Sequence, residues 1–165
     1  MFRSCLLAGF LGAWTVGSIG GCCGPGAPPA EKFFDRFTVE NTLKGFVYAV
    51  DTYQWDYAYE SLSSGSREAY SQLKLEVAVR FLSAPGGVPL FDLISNALER
   101  RAAAEESGDL ARVLVITKAR DENGTLVHYE VYLYFVREAV GTRWEWKFDF
   151  QATANGLPSG LVEAS

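Results

Sequence analysis

The chain has 165 residues, enough for one domain, and a composition of 48% hydrophobic, 14% aromatic and 21% charged residues excludes an intrinsically disordered protein. A domain of this length buries about two-thirds of the surface of its unfolded chain, so it needs neither a disulfide nor a metal ion to fold. The formal net charge of −5 comes from interspersed acids and bases, and without a basic cluster the chain lacks the counterion-releasing surface of a nucleic-acid-binding protein.

The first residues have the pattern of an export signal. One positive charge, Arg3, precedes an apolar run from Cys5 to Val16, and small residues follow the run. The run is shorter than the about 20 apolar residues that a membrane-spanning helix needs. We therefore predict a signal peptide over residues 1–21 rather than a transmembrane anchor.

The four residues Ile19-Gly20-Gly21-Cys22 resemble the lipobox of bacterial lipoproteins. The resemblance implies that Cys22 carries lipid, becomes the mature N-terminus and anchors the protein at the bacterial cell envelope, on the periplasmic side or at the cell surface. The alternative is ordinary signal cleavage, for instance after Ala30, which would discard Cys22. Residues 22–32 are predicted to be a tether, because their Gly and Pro residues disfavour regular structure.

Three helices are predicted in the first half of the folded domain, which we place at residues 33–152 with a tail at 153–165. The first helix has Thr38 as a suitable N-cap and bends or restarts near Trp55. Ser63-Ser64-Gly65-Ser66 breaks the pattern, and a second helix follows over residues 67–82. Pro89 suits the first turn of a third helix, which Ser107-Gly108 would end. The apolar stripes are Leu43, Phe46, Val47 and Val50; Tyr70, Leu73, Val77 and Phe81; and Leu90, Ile94, Ala97 and Leu98.

Three antiparallel strands are predicted in the second half, at residues 110–120, 126–138 and 143–151. Two-residue turns at Asn123-Gly124 and Val140-Gly141 would connect them. Both turns place one apolar set on the same face, which the helices must cover. That set is Leu114, Ile116, Val131, Leu133, Phe135, Trp144, Trp146, Phe148 and Phe150. Arg112, Tyr129 and Arg137 also fall on this face. The opposite, polar face carries His128, Glu130, Tyr132, Tyr134, Arg143, Glu145, Lys147 and Asp149, with Tyr134 opposite Lys147 and Glu138 opposite Arg143.

The predicted fold class is α+β, with N-terminal helices packed on one face of a curved antiparallel sheet. This order, the segment Thr42–Arg67 and the last strand "RWEWKFDF" resemble the nuclear transport factor 2-like (cystatin-like cone) superfamily over residues 38–150. The resemblance implies a cone-like domain. In the enzymes of the superfamily, which are isomerases, dehydratases and polyketide cyclases, it also implies an Asp or His general base inside the cone. The family's strand between the helices and the meander would be very short here, because residues 82–90 are rich in Gly and Pro.

The residues offer no complete catalytic or metal site. The single histidine, His128, falls on the outer sheet face, and no Cys/His pair, nucleophile elbow or phosphate-binding loop occurs. We therefore predict no catalytic residue, no metal site and no cofactor. A binding pocket is expected between the first helix and the Arg137 end of the sheet. Its predicted residues are Tyr53, Asp56, Arg137, Trp144 and Trp146.

The sequence favours a membrane-anchored envelope lipoprotein that acts as a non-catalytic binding or accessory module. Its expected partners are the membrane, through lipid on Cys22, and an envelope protein, with no nucleic acid. Two alternatives stay open. One is a small-molecule enzyme of the isomerase, dehydratase or cyclase type. The other is a structural homodimer that pairs through the sheet face at His128, Glu130, Tyr132 and Tyr134.

Overall fold

The structure is a computed structural model that describes residues 26–84, 87–120 and 123–157. These residues form an α+β fold in which helices pack against a four-stranded antiparallel sheet of order β1-β2-β3-β4. A short 3-10 helix at Ala30–Lys32 comes first. The elements are then α1 (Val39–Asp51), α2 (Trp55–Glu60), α3 (Ser64–Ala69), α4 (Gln72–Phe81), α5 (Leu90–Glu99), β1 (Ala104–Ser107), β2 (Leu110–Arg120), β3 (Leu126–Val140), β4 (Arg143–Asp149) and α6 (Phe150–Asn155).

The first helix is confirmed in its start and in its buried face. The Thr38 side chain accepts a hydrogen bond from the Asn41 N–H, as an N-cap does, and Leu43, Phe46 and Val50 are buried. The bend near Trp55 separates α1 from the short helix α2. Phe46 packs edge-on against Phe148 of β4, with 5.1 Å between ring centroids, so α1 lies directly on the sheet.

The predicted helix over residues 67–82 is two helices. Ser63 begins α3 rather than breaking the pattern, because its side chain accepts from the Ser66 N–H. Ser71 caps α4 in the same way, after an extended Tyr70. Helix-capping serines therefore mark both starts, although residues 63–66 were predicted as a break and Ser71 as a position inside one continuous helix.

The apolar stripe predicted for α4 is wrong. Leu73, Val77 and Phe81 are 71%, 50% and 77% exposed, whereas Leu75 and Val79 are buried. Both sets have helical spacing, so periodicity alone could not choose between them. The restart at Ser71 sets a new rotational phase for α4 and turns the predicted stripe towards solvent.

The third helix is confirmed as α5, with Leu90, Ile94 and Ala97 buried, and Pro89 at its N-cap. It ends at Glu99. The predicted stop at Ser107-Gly108 is instead the turn of a hairpin between β1, which was not predicted, and β2; Gly108 has φ 62°, which suits glycine. Within the described part of residues 82–90, the only strand pairing is an isolated bridge between Ser83 and Pro89.

The register of β2 on β3 differs by one residue from the prediction. Val115 pairs with Val131 and Arg120 with Leu126, so the connection is longer than the predicted two-residue turn. Ala111, Val113 and Val115 face the core, and the predicted core residues Leu114 and Ile116 lie on the outer face. The physical reason is charge: the predicted register would have turned Arg112 and Lys118 towards the helices.

The β3–β4 turn is shifted to Gly141-Thr142, which moves the pairing by two residues and preserves the faces. Phe135 therefore pairs with Phe148, and Trp146 and Phe148 are buried as predicted. Trp144 is 53% exposed at the hairpin, and Phe150 is buried as the first residue of α6 instead of as a strand residue.

The two cross-strand pairs predicted for the polar face are wrong. Tyr134 pairs with Asp149 rather than Lys147, and Glu138 pairs with Glu145 rather than Arg143. The like-charged glutamates are tolerated because Glu138 accepts hydrogen bonds from the N–H and hydroxyl of Ser64, at the start of α3.

The outer edge of β4 is covered by other chain segments. Phe148 accepts from the Ser63 N–H and donates to the Ser61 carbonyl, and Trp146 donates to the Arg36 carbonyl. An edge paired in this way is protected from pairing with another chain. It also brings Arg36 and the end of α2 beside β4.

The domain begins before the predicted residue 33. Ala30 is fully buried and its N–H donates to the Gln54 side chain at 2.7 Å. The Pro28 carbonyl accepts from the Tyr48 hydroxyl and the Gln54 amide, at 2.8 and 2.9 Å. Residues 28–32, assigned to the tether from the sequence, are thus fastened to the domain. Cys22 and the predicted signal peptide lie outside the described residues.

Candidate functional site

A cluster of buried charges lies where α2 and the Arg36 segment meet β4. Lys147 is only 2% exposed, and its Nζ donates to the Glu145 carboxylate at 2.8 Å and to the Glu60 carbonyl at 3.1 Å. Arg36 Nη1 lies 3.3 Å from the same Glu145 oxygen, and its guanidinium stacks 4.4 Å above the ring of Tyr57. Sequence reasoning placed Glu145 and Lys147 on a solvated face; the segment 60–63 that pairs with β4 buries the lysine.

The pKa values of the cluster follow from burial and pairing. Burial lowers the pKa of Lys147, although its bond to Glu145 opposes the shift. Burial acts to raise the pKa of Glu145, but the hydrogen bonds and charges of Lys147 and Arg36 outweigh it and hold that pKa below its ordinary value. Burial likewise raises the pKa of the Tyr57 hydroxyl. The Glu145 carboxylate therefore lies between Lys147 and Arg36, and Arg36 Nη2 also lies 3.7 Å from the Glu60 carboxylate, so the charges of the cluster offset each other.

A groove of about 510 Å³ opens above this cluster. Arg36 and Tyr57 form part of its wall, and acidic residues dominate its rim. The acidic lining residues are Glu31, Asp35, Asp56, Glu60 and Glu145, against Arg36 and Arg143. This excess of carboxylates favours a positively charged group over an anion in the groove.

The five residues predicted to form a pocket do not come together. Asp56 lines the acidic groove and accepts from the Gln72 amide, whereas Trp146 is buried in the core. Tyr53 is 70% exposed beside Arg80. Arg137 and exposed Trp144 contact each other at the β3–β4 hairpin, 6.0 Å from guanidinium to ring centroid. Tyr53 follows α1 with a positive φ of 61°.

The outer face of the sheet carries a second candidate surface, the outer sheet patch, formed by Leu110, Arg112, Leu114, Ile116, Tyr132 and Tyr134. Leu110 and Ile116 are 63% and 45% exposed. The rings of Tyr132 and Tyr134 lie 6.3 Å apart, and the Arg112 guanidinium sits 4.8 Å above Tyr132. Exposed aliphatic and aromatic residues grouped with an arginine are typical of protein-binding surfaces.

The outer sheet patch continues into a groove of about 540 Å³ between the β1–β2 hairpin and α6. Leu110, Arg112 and Tyr134 line it together with Asp149 and Ala152. Arg112 is held in place by a 2.8 Å ion pair with Glu105 of β1. Apolar walls with few fixed polar groups suit the side chains of a partner better than a water-soluble metabolite.

The predicted sheet-face residues are only partly grouped. Tyr132 and Tyr134 belong to the outer sheet patch, and the Tyr132 hydroxyl donates to Glu130 at 3.3 Å. His128 is exposed on the same face, nearer the start of β3. Leu114 and Ile116 were missed because the register prediction placed them inside. Arg112, which could not face a covered interior without a partner, was the sequence signal for the correct register.

The described residues contain neither a helix that could span a membrane nor a cluster of metal-binding side chains. Within residues 26–84, 87–120 and 123–157, no helix has the length and apolarity needed to cross a bilayer. Over the same ranges, no group of three or more His, Cys, Asp or Glu residues is arranged to hold a metal ion.

Comparisons with known proteins add little to the geometry. No family model matches the chain, and no curated protein sequence matches it. Among solved structures, the chain is similar to the solution structure of a SEC-C motif containing protein from Rhodopseudomonas palustris, with 14% identity and a TM-score of 0.43. That similarity covers 74% of this chain and 83% of the other. A similarity at this level carries no functional assignment.

Proposed function

We propose that this protein is an exported lipoprotein, anchored through lipid on Cys22, whose α+β domain is a non-catalytic binding module of the cell envelope. The observation that carries the binding role is the outer sheet patch. Leu110 and Ile116 are exposed there, and the partly exposed tyrosine pair lies beside Arg112. The partner that fits is another envelope protein, because an apolar and aromatic surface gains the most binding free energy when it is buried against apolar and aromatic side chains.

The start of the described domain supports processing at Cys22 over the alternative after Ala30. Cleavage after Ala30 would cut inside the 3-10 helix and would release Pro28, whose carbonyl accepts two hydrogen bonds. Cleavage before Cys22 leaves these contacts intact. Five residues, 23–27, would then connect the lipidated cysteine to Pro28.

The charged groups support binding over acid–base catalysis. A general base needs a free, water-poor titrating group with a pKa near the working pH. Glu145 is held ionised by two cations, and Asp56 is exposed and bonded to Gln72. Exposed His128 lies on the outer face, away from the helix-covered side of the sheet.

The binding role is tested by crosslinking from inside the outer sheet patch. A photoreactive amino acid at Ile116 is expected to give one discrete adduct in intact membranes, and Tyr134→Asp is expected to abolish it. Phe37, 52% exposed at the start of α1, is the matched control position and should not give that adduct. The same adducts from both positions, or none from Ile116, would contradict the proposal.

A homodimer is the second candidate, favoured by the same patch. Leu114 and Ile116 on the outer face extend the predicted pairing surface of Tyr132 and Tyr134 across two strands. Two such faces could pair about a twofold axis, because an isologous interface uses one patch twice. An Ile116 adduct with the mass of two chains would select this candidate.

A further inference from the structure

The helix α4 presents an apolar stripe to solvent on the side of the domain away from the outer sheet patch. Leu73, Val77 and Phe81, at positions i, i+4 and i+8, are 71%, 50% and 77% exposed. The helix packs against α2 and α5 through its other side, where Leu75 and Val79 are buried. Three large apolar side chains along one exposed helix of about 15 Å need a covering surface or a function.

The stripe lies near the point where the described chain begins. Pro28 is bonded to Gln54, the residue that follows exposed Tyr53. The Arg80 guanidinium of α4 is 5.7 Å from the Tyr53 ring and 5.8 Å from the Trp55 ring. This sequence of contacts leads from Pro28 through the α1–α2 connection to the C-terminal half of α4.

The length of chain before Pro28 limits the distance between the domain and the proposed anchor. From Cys22 to Pro28 the backbone extends at most about 22 Å, at about 3.6 Å per residue. A domain of this size is about 35 Å across. The side of the domain that carries Pro28 is therefore held close to the membrane if Cys22 bears lipid.

We propose that the exposed stripe of α4 lies on the lipid bilayer, with Leu73, Val77 and Phe81 inserted at the level of the headgroups. The inference rests on the proposed anchoring at Cys22. A helix with an apolar stripe and flanking cations suits this location, and exposed Lys74 and Arg80 flank the stripe, where Arg80 also pairs with Glu76 at 2.9 Å. The outer sheet patch then faces away from the bilayer, towards a partner.

A bilayer fits the stripe better than a protein partner does. The stripe is narrow, convex and on a single helix, and none of the grooves described above is lined by its residues. Proteins dock apolar side chains into concave, packed pockets, whereas a bilayer accepts a convex helix without shape matching. The tether brings the bilayer to this side in every molecule.

The test uses the full chain in its membrane-anchored form, reconstituted into vesicles of phosphatidylethanolamine and phosphatidylglycerol. The vesicles contain a phospholipid with a photoactivatable diazirine in its acyl chain, and labelled peptides are mapped by mass spectrometry. We expect label on residues 72–81 and none on residues 110–120. The triple variant Leu73→Ser/Val77→Ser/Phe81→Ser should lose the label on α4, whereas Leu126→Ser/Val140→Ser, a control at two exposed sheet residues outside the outer sheet patch, should retain it.

The possible results separate this inference from the proposed anchoring. Lipid on Cys22 without label on residues 72–81 overturns the α4 inference alone. An α4-mediated dimer that excludes the label also overturns it, because the stripe then covers a second copy. If Cys22 carries no lipid, the anchoring proposal fails and the same vesicles are added to the unlipidated chain. Label on residues 72–81 then supports the inference, and its absence overturns it. An unchanged urea-unfolding transition of the triple variant shows that the domain is folded.

Discussion

Removing the Glu145 carboxylate should destabilise the domain far more than removing its lysine partner. In Glu145→Ala, Lys147 stays buried with only the Glu60 carbonyl as acceptor, and Arg36 loses its nearest carboxylate. Breaking a buried pair from one side costs about 3–5 kcal/mol, because the remaining charge is left uncompensated. We expect about 3 kcal/mol, at the lower end of that range, since one acceptor of Lys147 is retained.

The reverse change, Lys147→Met, should cost less than about 1 kcal/mol. Met fills a similar volume, and Arg36 still neutralises Glu145 at 3.3 Å. The lowered pKa of Lys147 also indicates a small cost for Lys147→Met, because burial disfavours the charged form of the lysine. The matched control is Glu40→Ala, which removes a 2.6 Å but exposed pair with Lys44 and should leave the free energy of unfolding nearly unchanged.

Urea unfolding followed by intrinsic tryptophan fluorescence, to which buried Trp146 contributes, measures all three free energies of unfolding. Two results would refute the reasoning. One is a loss below about 1 kcal/mol for Glu145→Ala, which would mean that water reaches Lys147. The other is equal losses for Glu145→Ala and Lys147→Met, which would mean that the pair itself, rather than an uncompensated charge, sets the cost.

Three further predictions follow from other parts of the domain. Gly45→Ala should destabilise the domain by about 1–3 kcal/mol in thermal unfolding, because a Cβ would lie 2.8 Å from the Tyr57 hydroxyl. This loss is expected although Ala favours helices. Unchanged stability would mean that Tyr57 moves away freely. Tyr132→Asp/Tyr134→Asp should leave the domain folded and weaken the partner complex in pull-down; unfolding would show that these tyrosines belong to the core. The pKa of Glu145 is lowered in the folded state, so its stabilising effect should be present above pH 4.5 and lost as the pH falls through the folded pKa. If the difference in free energy of unfolding between wild type and Glu145→Ala does not shrink on acidification, the pairing is contradicted.

Local sequence signals predicted an element correctly where they were compatible with only one conformation. The Thr38 cap, the first and third helical stripes and the three long strands are all confirmed, because caps and β-branched runs act within a few residues. The α+β class with helices on one side of the sheet follows from those elements.

Ambiguous apolar runs account for the main errors. The run Val113–Ile116 is apolar at every position, so it fits either face of a strand, and the turn signal at Asn123-Gly124 selected the wrong one. In α4 two apolar sets share helical spacing, and only the restart at Ser71 decides between them. Both errors arose from facts that a local pattern does not contain. For β2 the deciding fact was which charged residues could reach water, and for α4 it was where the helix restarted.

The charged cluster could not be predicted for a related reason. Alternation along β4 placed Glu145 and Lys147 on a polar face, and nothing local indicates that residues 60–63 pair with the edge of that strand. Arg36 is distant in sequence from both. Long-range packing, which alternation does not encode, buries the lysine.

The central claim, a lipid-anchored module, is tested most directly by mass spectrometry of the N-terminal peptide of the mature protein isolated from membranes. The account predicts a peptide that begins at Cys22 and carries covalent lipid, and a Cys22→Ala variant that remains an uncleaved precursor or becomes soluble. A mature peptide that begins after Ala30, or one that begins at Cys22 without lipid while the protein still fractionates with membranes, would contradict it.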